Sequence, residues 1–307
     1  MGRALARERA RHVSHNILGW LWDGIVGPIL ERLGHSAHPR SGRSADAPPR
    51  LWWCPVGLLS LLPLHAAGHH PRHRSAPGTG GAWTADLVVS SYTPTLAALS
   101  RSRIRRSGPT ARRRLAIALP ETPGLAALPA VADELACLRR YAASPTEVVS
   151  LVGSAATRRA VLDELPRCDR IHFACHAAQN LSDPAASSFS LHDGPLSVAD
   201  IADLELAEAD LAYLSACQTA TGVPDLADEA IHLAAAMQLT GFRHIVATSW
   251  PVGDSSAAGV SDHFYRELTS SDSGAEPAIA LHRAVRALRD SDPTEPMKWA
   301  SYAHFGT

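Results

Sequence analysis

Two residues of the chain carry side chains that could together perform nucleophilic catalysis, and each follows a short apolar run. The first is His176, within "RIHFACHAAQN" (170–180), and the second is Cys217, within "DLAYLSACQTATG" (210–222). A free thiol, with a pKa of about 8.5, is only a few per cent thiolate near neutrality. A neighbouring imidazole raises that fraction or takes the proton as the substrate arrives. If the two runs are adjacent strands of a parallel sheet, their tips stand about one strand spacing, roughly 5 Å, apart at the same sheet edge. The chemistry would then be acyl transfer at Cys217 with His176 as base. The small neighbours Ala216 and Ala177 leave the backbone accessible, and the amide of Cys217 could face a developing oxyanion.

Plainer readings exist for each residue alone. A strand-end cysteine is usually a small buried hydrophobe, and a strand histidine is often satisfied by backbone groups. His172, four residues before His176, is expected to serve packing or orientation on the covered face. Cys168, His172, Cys175 and His176 fall close enough to suggest zinc. Strand alternation, however, turns Cys175 away from the two histidines and leaves Cys168 before the strand, so no metal is expected. No G-x-S-x-G elbow occurs, which removes the usual serine-hydrolase signature. "GTGG" (78–81) lacks the flanking strand, the helix and the Lys-Ser/Thr of a phosphate loop. The histidines around it follow no fixed spacing, so residues 65–83 read as a mobile surface loop and no cofactor is expected.

The elements that must position the pair are legible from residue 115 onward. Apolar runs at 115–119, 147–152, 170–175, 211–216 and 244–250 alternate with helical patterns at about 129–143, 156–166, 197–204 and 226–241. Such alternation predicts a mainly parallel sheet covered by helices on both faces. Thr157 and Ser197 are predicted helix caps, with Asp200 in the first turn after Ser197, and Gly241 is a predicted stop. Two further helices are predicted in "SSAAGVSDHFYRELTS" and "EPAIALHRAVRALRD". In an open parallel sheet functional groups gather at the carboxyl ends of the strands, where His176 and Cys217 both stand.

Ahead of this body lie a helical lead (1–34), a polar Pro- and Ser-rich linker (35–50) and a short strand and turn (51–64). The expected division is 1–50 as helix and linker and 51–307 as the body of the fold. The stretch "NILGWLWDGIVGPIL" (16–30) is shorter than the roughly 20 residues of a spanning helix. Interrupted by Asp23 and Pro28, it reads as an amphipathic helix docked on the body, and membrane association is not expected. A formal charge of -1 over 307 residues gives no sign of a nucleic-acid partner, and 46% hydrophobic content suits a soluble globular chain. Five cysteines, an odd number without a secretory leader before them, suggest reduced thiols in the cytoplasm.

Several segments together resemble the CHAT family of caspase-like (clan CD) cysteine peptidases, often found with TPR repeats. These are "IHFACHA", "LHDGPLSVADIADLELAEADLAYLSACQTATG" and "DEAIHLAAAMQLTGFRHIVATSWPVGDSSAAGVSDHFYREL", with "CPVGLLSLLPLHAAG", "SYTPTLAAL" and "LPAVADELACL" before them and "WASYAHFGT" at the end. "LWDGIVGPIL" resembles the helix that joins repeats to peptidase in that family, and the lead before it is expected to be too short to hold repeats.

The resemblance implies a caspase-like three-layer αβα sandwich and an endopeptidase with a Cys217–His176 dyad that works through a thioester acyl-enzyme. It also implies an oxyanion hole formed by backbone amides at Ala177 and Cys217, although the family usually has Gly where Ala177 stands. Trp250 and Asp254, in "TSWPVGD", are implied cleft residues. Ser215, two positions before the cysteine, occupies a place that is charged in some relatives, and Asp225, Asp228 and Asp254 could make the pocket acidic. The implied partners are a protein or peptide substrate and a regulator such as a TPR or sensor protein, in defence, signalling or cell death. A second reading keeps the fold as a catalytically latent module for binding or scaffolding.

Overall fold

A computed structural model of the chain describes residues 2–35, 47–71, 83–103, 113–178, 180, 183–204, 206, 209–215, 233–250, 252, 254–270 and 276–307. Among these the strands, in chain order, are β1 (Arg50–Trp53), β2 (Val89–Tyr92), β3 (Arg114–Ala118), β4 (Val148–Val152), β5 (Arg170–Ala174), β6 (Ala177–Ala178), β7 (Ser188–Leu191), β8 (Gly194–Ser197), β9 (Leu211–Leu214), β10 (His244–Thr248) and β11 (Tyr302–Gly306). The helices are α1 (Gly2–Leu21), α2 (Gly27–Arg32), α3 (Thr84–Leu87), α4 (Leu96–Arg103), α5 (Val131–Arg140), α6 (Arg158–Glu164), α7 (Val198–Ala202), α8 (Leu233–Leu239), α9 (Asp254–Thr269), α10 (Pro277–Ser291) and α11 (Pro296–Trp299).

The apolar runs of the sequence form one eight-stranded sheet in the order β1-β2-β11-β10-β9-β5-β3-β4. Strands β4, β3, β5, β9 and β10 are parallel, and β11 runs antiparallel to β10 while pairing in parallel with β2. Central strands β3, β9 and β10 are buried along their whole length, as strands covered on both faces should be. Alternate residues feed two separate cores. Leu115, Ile117, Ile171, Phe173 and Leu214 pack against Val161 of α6, Ile201 of α7 and Met237 of α8. On the other face Ala116, Tyr213 and Val246 share a core with Phe264 and Tyr265 of α9, Leu281 of α10 and Trp299 of α11. The result is the expected three-layer αβα sandwich.

Local signals in the sequence act where they were expected. The Thr157 side chain accepts from Ala160 N, and Ser197 with Asp200 closes a reciprocal capping box at α7. Gly241 follows α8 with a φ of +116°, a conformation that L side chains rarely adopt. The lead helix docks as predicted, since Leu18, Leu21 and Leu30 join the core of the sheet's α9 and α10 face. Each such burial is worth about 1.5–3 kcal/mol, which is enough for three of them to hold the lead against the body. No helix among the described residues is long and apolar enough to cross a membrane.

One expectation is overturned. Residues 65–71 are not a surface loop, because His65 and His70 are buried. The His65 ring bonds the Tyr92 hydroxyl at 2.9 Å, and His70 Nε2 donates to Ala66 O at 2.8 Å while the ring packs edge-on between Trp83 and Trp299. The Pro and Gly content that suggested a loop is outweighed by this aromatic packing. The remainder of that segment, 72–82, and the linker residues 36–46 lie outside the described residues. A small sheet in the order β6-β7-β8 was not anticipated either, since its strands are too short to leave an alternation in the sequence.

Candidate active site

His176 stands just past β5, where the strand leaves the sheet, with 4% of its surface exposed. Its Nε2 lies 2.7 Å from the carbonyl oxygen of Ala126, in the loop between β3 and α5. Because a carbonyl only accepts, Nε2 carries the hydrogen, and the neutral ring keeps its lone pair on Nδ1. The residue can therefore act as a base through Nδ1 alone.

Ala177 opens β6 and faces Phe189 of β7 in an antiparallel pair. Ser190 N donates to His176 O at 2.8 Å, which makes Ala177–Phe189 a non-hydrogen-bonded pair, so the ladder with β7 leaves the Ala177 N–H unused. No non-glycine residue among those described has a positive φ, so alanine at 177 carries no backbone penalty. Phe189 also stacks on Phe173 of β5, with ring centroids 3.8 Å apart and planes 10° from parallel. That contact fastens the small sheet to the strand that delivers His176.

β5 and β9 are neighbours, as the pair requires, with His172 opposite Tyr213 and Phe173 opposite Leu214. Ser215 extends the ladder by donating its N–H to Phe173 O at 2.9 Å. Its Oγ is buried and has no hydrogen-bond partner among the described residues. Trp250 is half-buried after β10, and its Nε1 donates to Met297 O at 3.0 Å. Asp254 is the first residue of α9, and its side chain lies outside the described residues, as do Cys217, Asp225 and Asp228.

Three of the other cysteines, Cys137, Cys168 and Cys175, are poorly suited to nucleophilic attack. Burial, with a smaller contribution from Asp262, pushes the Cys137 thiol up to about 11, and burial likewise raises Cys168 to about 11. Cys175 is fully buried in the core of the α6 and α7 face, on the opposite side of β5 from His172. Cys54 is exposed.

Two residues that hold the histidines at β5, Ala126 at His176 and Glu134 at His172, escaped sequence reasoning. Ala126 acts through its backbone, which leaves no mark in residue type. Glu134 did leave one, because it occupies an apolar position on the buried face of α5, between Val131 and Leu138. Its Oε2 takes the Nε2 hydrogen of His172 at 3.1 Å, and the Tyr265 hydroxyl bonds His172 Nδ1 at 2.7 Å. Tyr213 stacks on the same ring at 4.8 Å. Both edges and one face of the His172 ring are thus engaged, which gives it the orienting and packing role expected for the covered face.

A sequence model of the CHAT domain matches residues 15–307. Comparison with curated protein sequences finds no match. Among solved structures, the separase of the Saccharomyces cerevisiae separase–securin complex aligns with a TM-score of 0.55 at 12% identity, over 80% of this chain and 15% of that one. The Arg-specific cysteine proteinase gingipain R aligns with a TM-score of 0.50 at 12% identity, over 71% of this chain and 54% of that one. The aligned region thus spans about half of the gingipain chain and a small part of separase. At this identity the likeness establishes a shared caspase-like fold.

Proposed function

The chain belongs to the CHAT domain family, and we propose that it is a cysteine endopeptidase in which Cys217 is the nucleophile and His176 the general base. The observation that carries this reading is the register of β5 and β9. Arg170 pairs with Leu211 and Phe173 with Leu214, an offset of 41 residues, and the same 41 residues separate His176 from Cys217.

In the proposed mechanism His176 Nδ1 takes the thiol proton and the Cys217 sulfur attacks the peptide carbonyl carbon. Amide N–H groups of Ala177 and Cys217 hold the resulting oxyanion; the ladder with β7 leaves the first of these unused. The imidazolium then gives its proton to the amine as the C–N bond breaks, leaving a thioester. Water, losing a proton to Nδ1, attacks that thioester, and the thiol is restored as the acid product leaves. Ser215, Trp250, Asp254, Asp225 and Asp228 belong to this proposal as cleft residues, with the aspartates favouring a basic residue in the substrate. A protein substrate, a regulatory protein partner such as a TPR or sensor protein, and a cytoplasmic role in defence, signalling or cell death complete it. The separase neighbour was solved with a protein bound, securin, which accords with a protein partner here.

A latent association module is the second reading. It is favoured by the apolar stripe of α1, where Val13 and Trp20 are 53% and 57% exposed. Labelling with a thiol-directed peptide electrophile separates the two. The peptidase reading expects Cys217 to react far faster than Cys54, and expects His176→Ala and Cys217→Ala to abolish that label. Equal rates at Cys217 and Cys54, with no Cys217-dependent cut in a peptide library, would favour the association module.

A further inference from the structure

We propose that Glu134 is a positioning residue for the base. Through His172 it sets the loop whose Ala126 carbonyl holds His176, and this rests on the reading of His176 as general base. Two hydrogen bonds join the same two stretches of chain: Ala126 O to His176 Nε2 at 2.7 Å and Glu134 Oε2 to His172 Nε2 at 3.1 Å. His172 lies within β5 and His176 two residues past its end, four residues apart. The loop and the helix after it are therefore clamped to β5 at two successive points.

Among the described residues the loop has few other directional anchors. At its entry Leu119 N donates to Ala174 O at 2.9 Å. Within it the backbone bonds are local, from Leu125 N to Thr122 O, Leu128 N to Pro120 O and Val131 N to Leu128 O. Where the loop runs into α5, Val131 packs on Ala118 and Ala174. Apolar packing is non-directional, however, and does not decide where the Ala126 carbonyl will point. The Glu134 carboxylate does impose a direction. It is 3% exposed, and a buried carboxylate without a partner would cost several times what one apolar contact returns. Its partner ring cannot swing away, since Tyr265 holds the other nitrogen and Tyr213 covers a face. Loss of the carboxylate frees the start of α5 to shift against β5, and Ala126 O moves with it. His176 then loses the acceptor that keeps its hydrogen on Nε2.

Nitrogen NMR of the protein with 15N-labelled histidine rings reads this without reference to activity. In the wild type, His176, assigned from the signal lost in His176→Ala, is expected as the Nε2–H tautomer. In Glu134→Ala it is expected as a mixture of both tautomers, and kcat for a peptide substrate falls about tenfold or more with KM within about twofold, a misplacement effect. Glu134→Gln keeps an oxygen acceptor for His172 and restores both readouts. Glu134→Asp keeps the carboxylate but draws it back by one bond, and it carries the same test if Glu134→Ala does not fold. A folded Glu134→Ala or Glu134→Asp protein with the wild-type His176 tautomer overturns the proposal. A tautomer that responds to Glu134 in a protein whose Cys217 does not label supports the clamp and overturns the peptidase reading instead.

Discussion

His176 Nε2 and the carbonyl oxygen of Ala126 are 2.7 Å apart, so a backbone group from the β3–α5 loop dictates which nitrogen of the imidazole is basic. No third side chain is needed for that purpose. A carbonyl supplies orientation without the full charge that an aspartate would add.

His176→Gln can still donate to Ala126 O, yet it has no basic nitrogen. Both His176→Gln and His176→Ala are expected to slow electrophile labelling at Cys217 by about 10²-fold or more. His176→Gln should keep the wild-type melting temperature more closely than His176→Ala. Labelling rates and thermal melts on the same preparations check this.

Ala177 has an ordinary backbone conformation, so restoring the family's glycine gains nothing in geometry. Ala177→Gly is expected to leave kcat/KM within about twofold and to cost about 0.5–1 kcal/mol of stability. Ala177→Pro removes the N–H that the β7 ladder does not use, and kcat is expected to fall about 10²–10³-fold if that amide holds the oxyanion. Activity close to wild type in a folded Ala177→Pro protein would exclude the amide from the oxyanion hole.

Phe189 ties the small sheet to β5 by stacking on Phe173. Phe189→Ala is expected to cost about 3–5 kcal/mol in a urea melt. Because β6 and β7 are then held less firmly, labelling at Cys217 should slow even at temperatures where the protein remains folded. Phe189→Leu should recover most of both.

Buried histidines make the fold sensitive to acid. Burial lowers His65 to about 4 and His70 to about 3, against 6.5 for the free side chain. His304 is also pushed down by burial and by its neighbour His244. The folded protein resists protonation at these rings and the unfolded chain does not. The stabilisation is therefore complete above pH 6.5 and is lost as pH falls from there toward 4 and 3. At pH 5 the loss is about 2 kcal/mol for each of His65 and His70, a large share of a typical domain's stability. Urea midpoints measured from pH 8 to pH 4.5 should fall steeply below pH 6.5, and a flat profile would contradict the burial of these rings.

What the sequence determined by itself is local. Near-continuous apolar runs became β3, β5, β9 and β10 because strands covered on both faces have no polar side to show. Thr157, Ser197 and Asp200 announced helix starts because capping depends on residues three apart, and strand alternation alone put Cys175 on the face opposite His172. His176 could be read at a strand tip for the same reason. Tertiary structure decided what depends on distant segments meeting. The adjacency of β5 and β9, the antiparallel return of β11, and the choice of Ala126 O as the partner of His176 arise from packing across tens of residues. The burial of His65 and His70 is not legible locally because Gly and Pro describe the backbone's local freedom, whereas packing of His65 on Tyr92 and of His70 between Trp83 and Trp299 depends on aromatic surface brought together by the fold. Glu134 shows the boundary between the two most clearly. Its place on an apolar helix face could be read from spacing, but only the fold supplies His172 as the partner that makes its burial affordable.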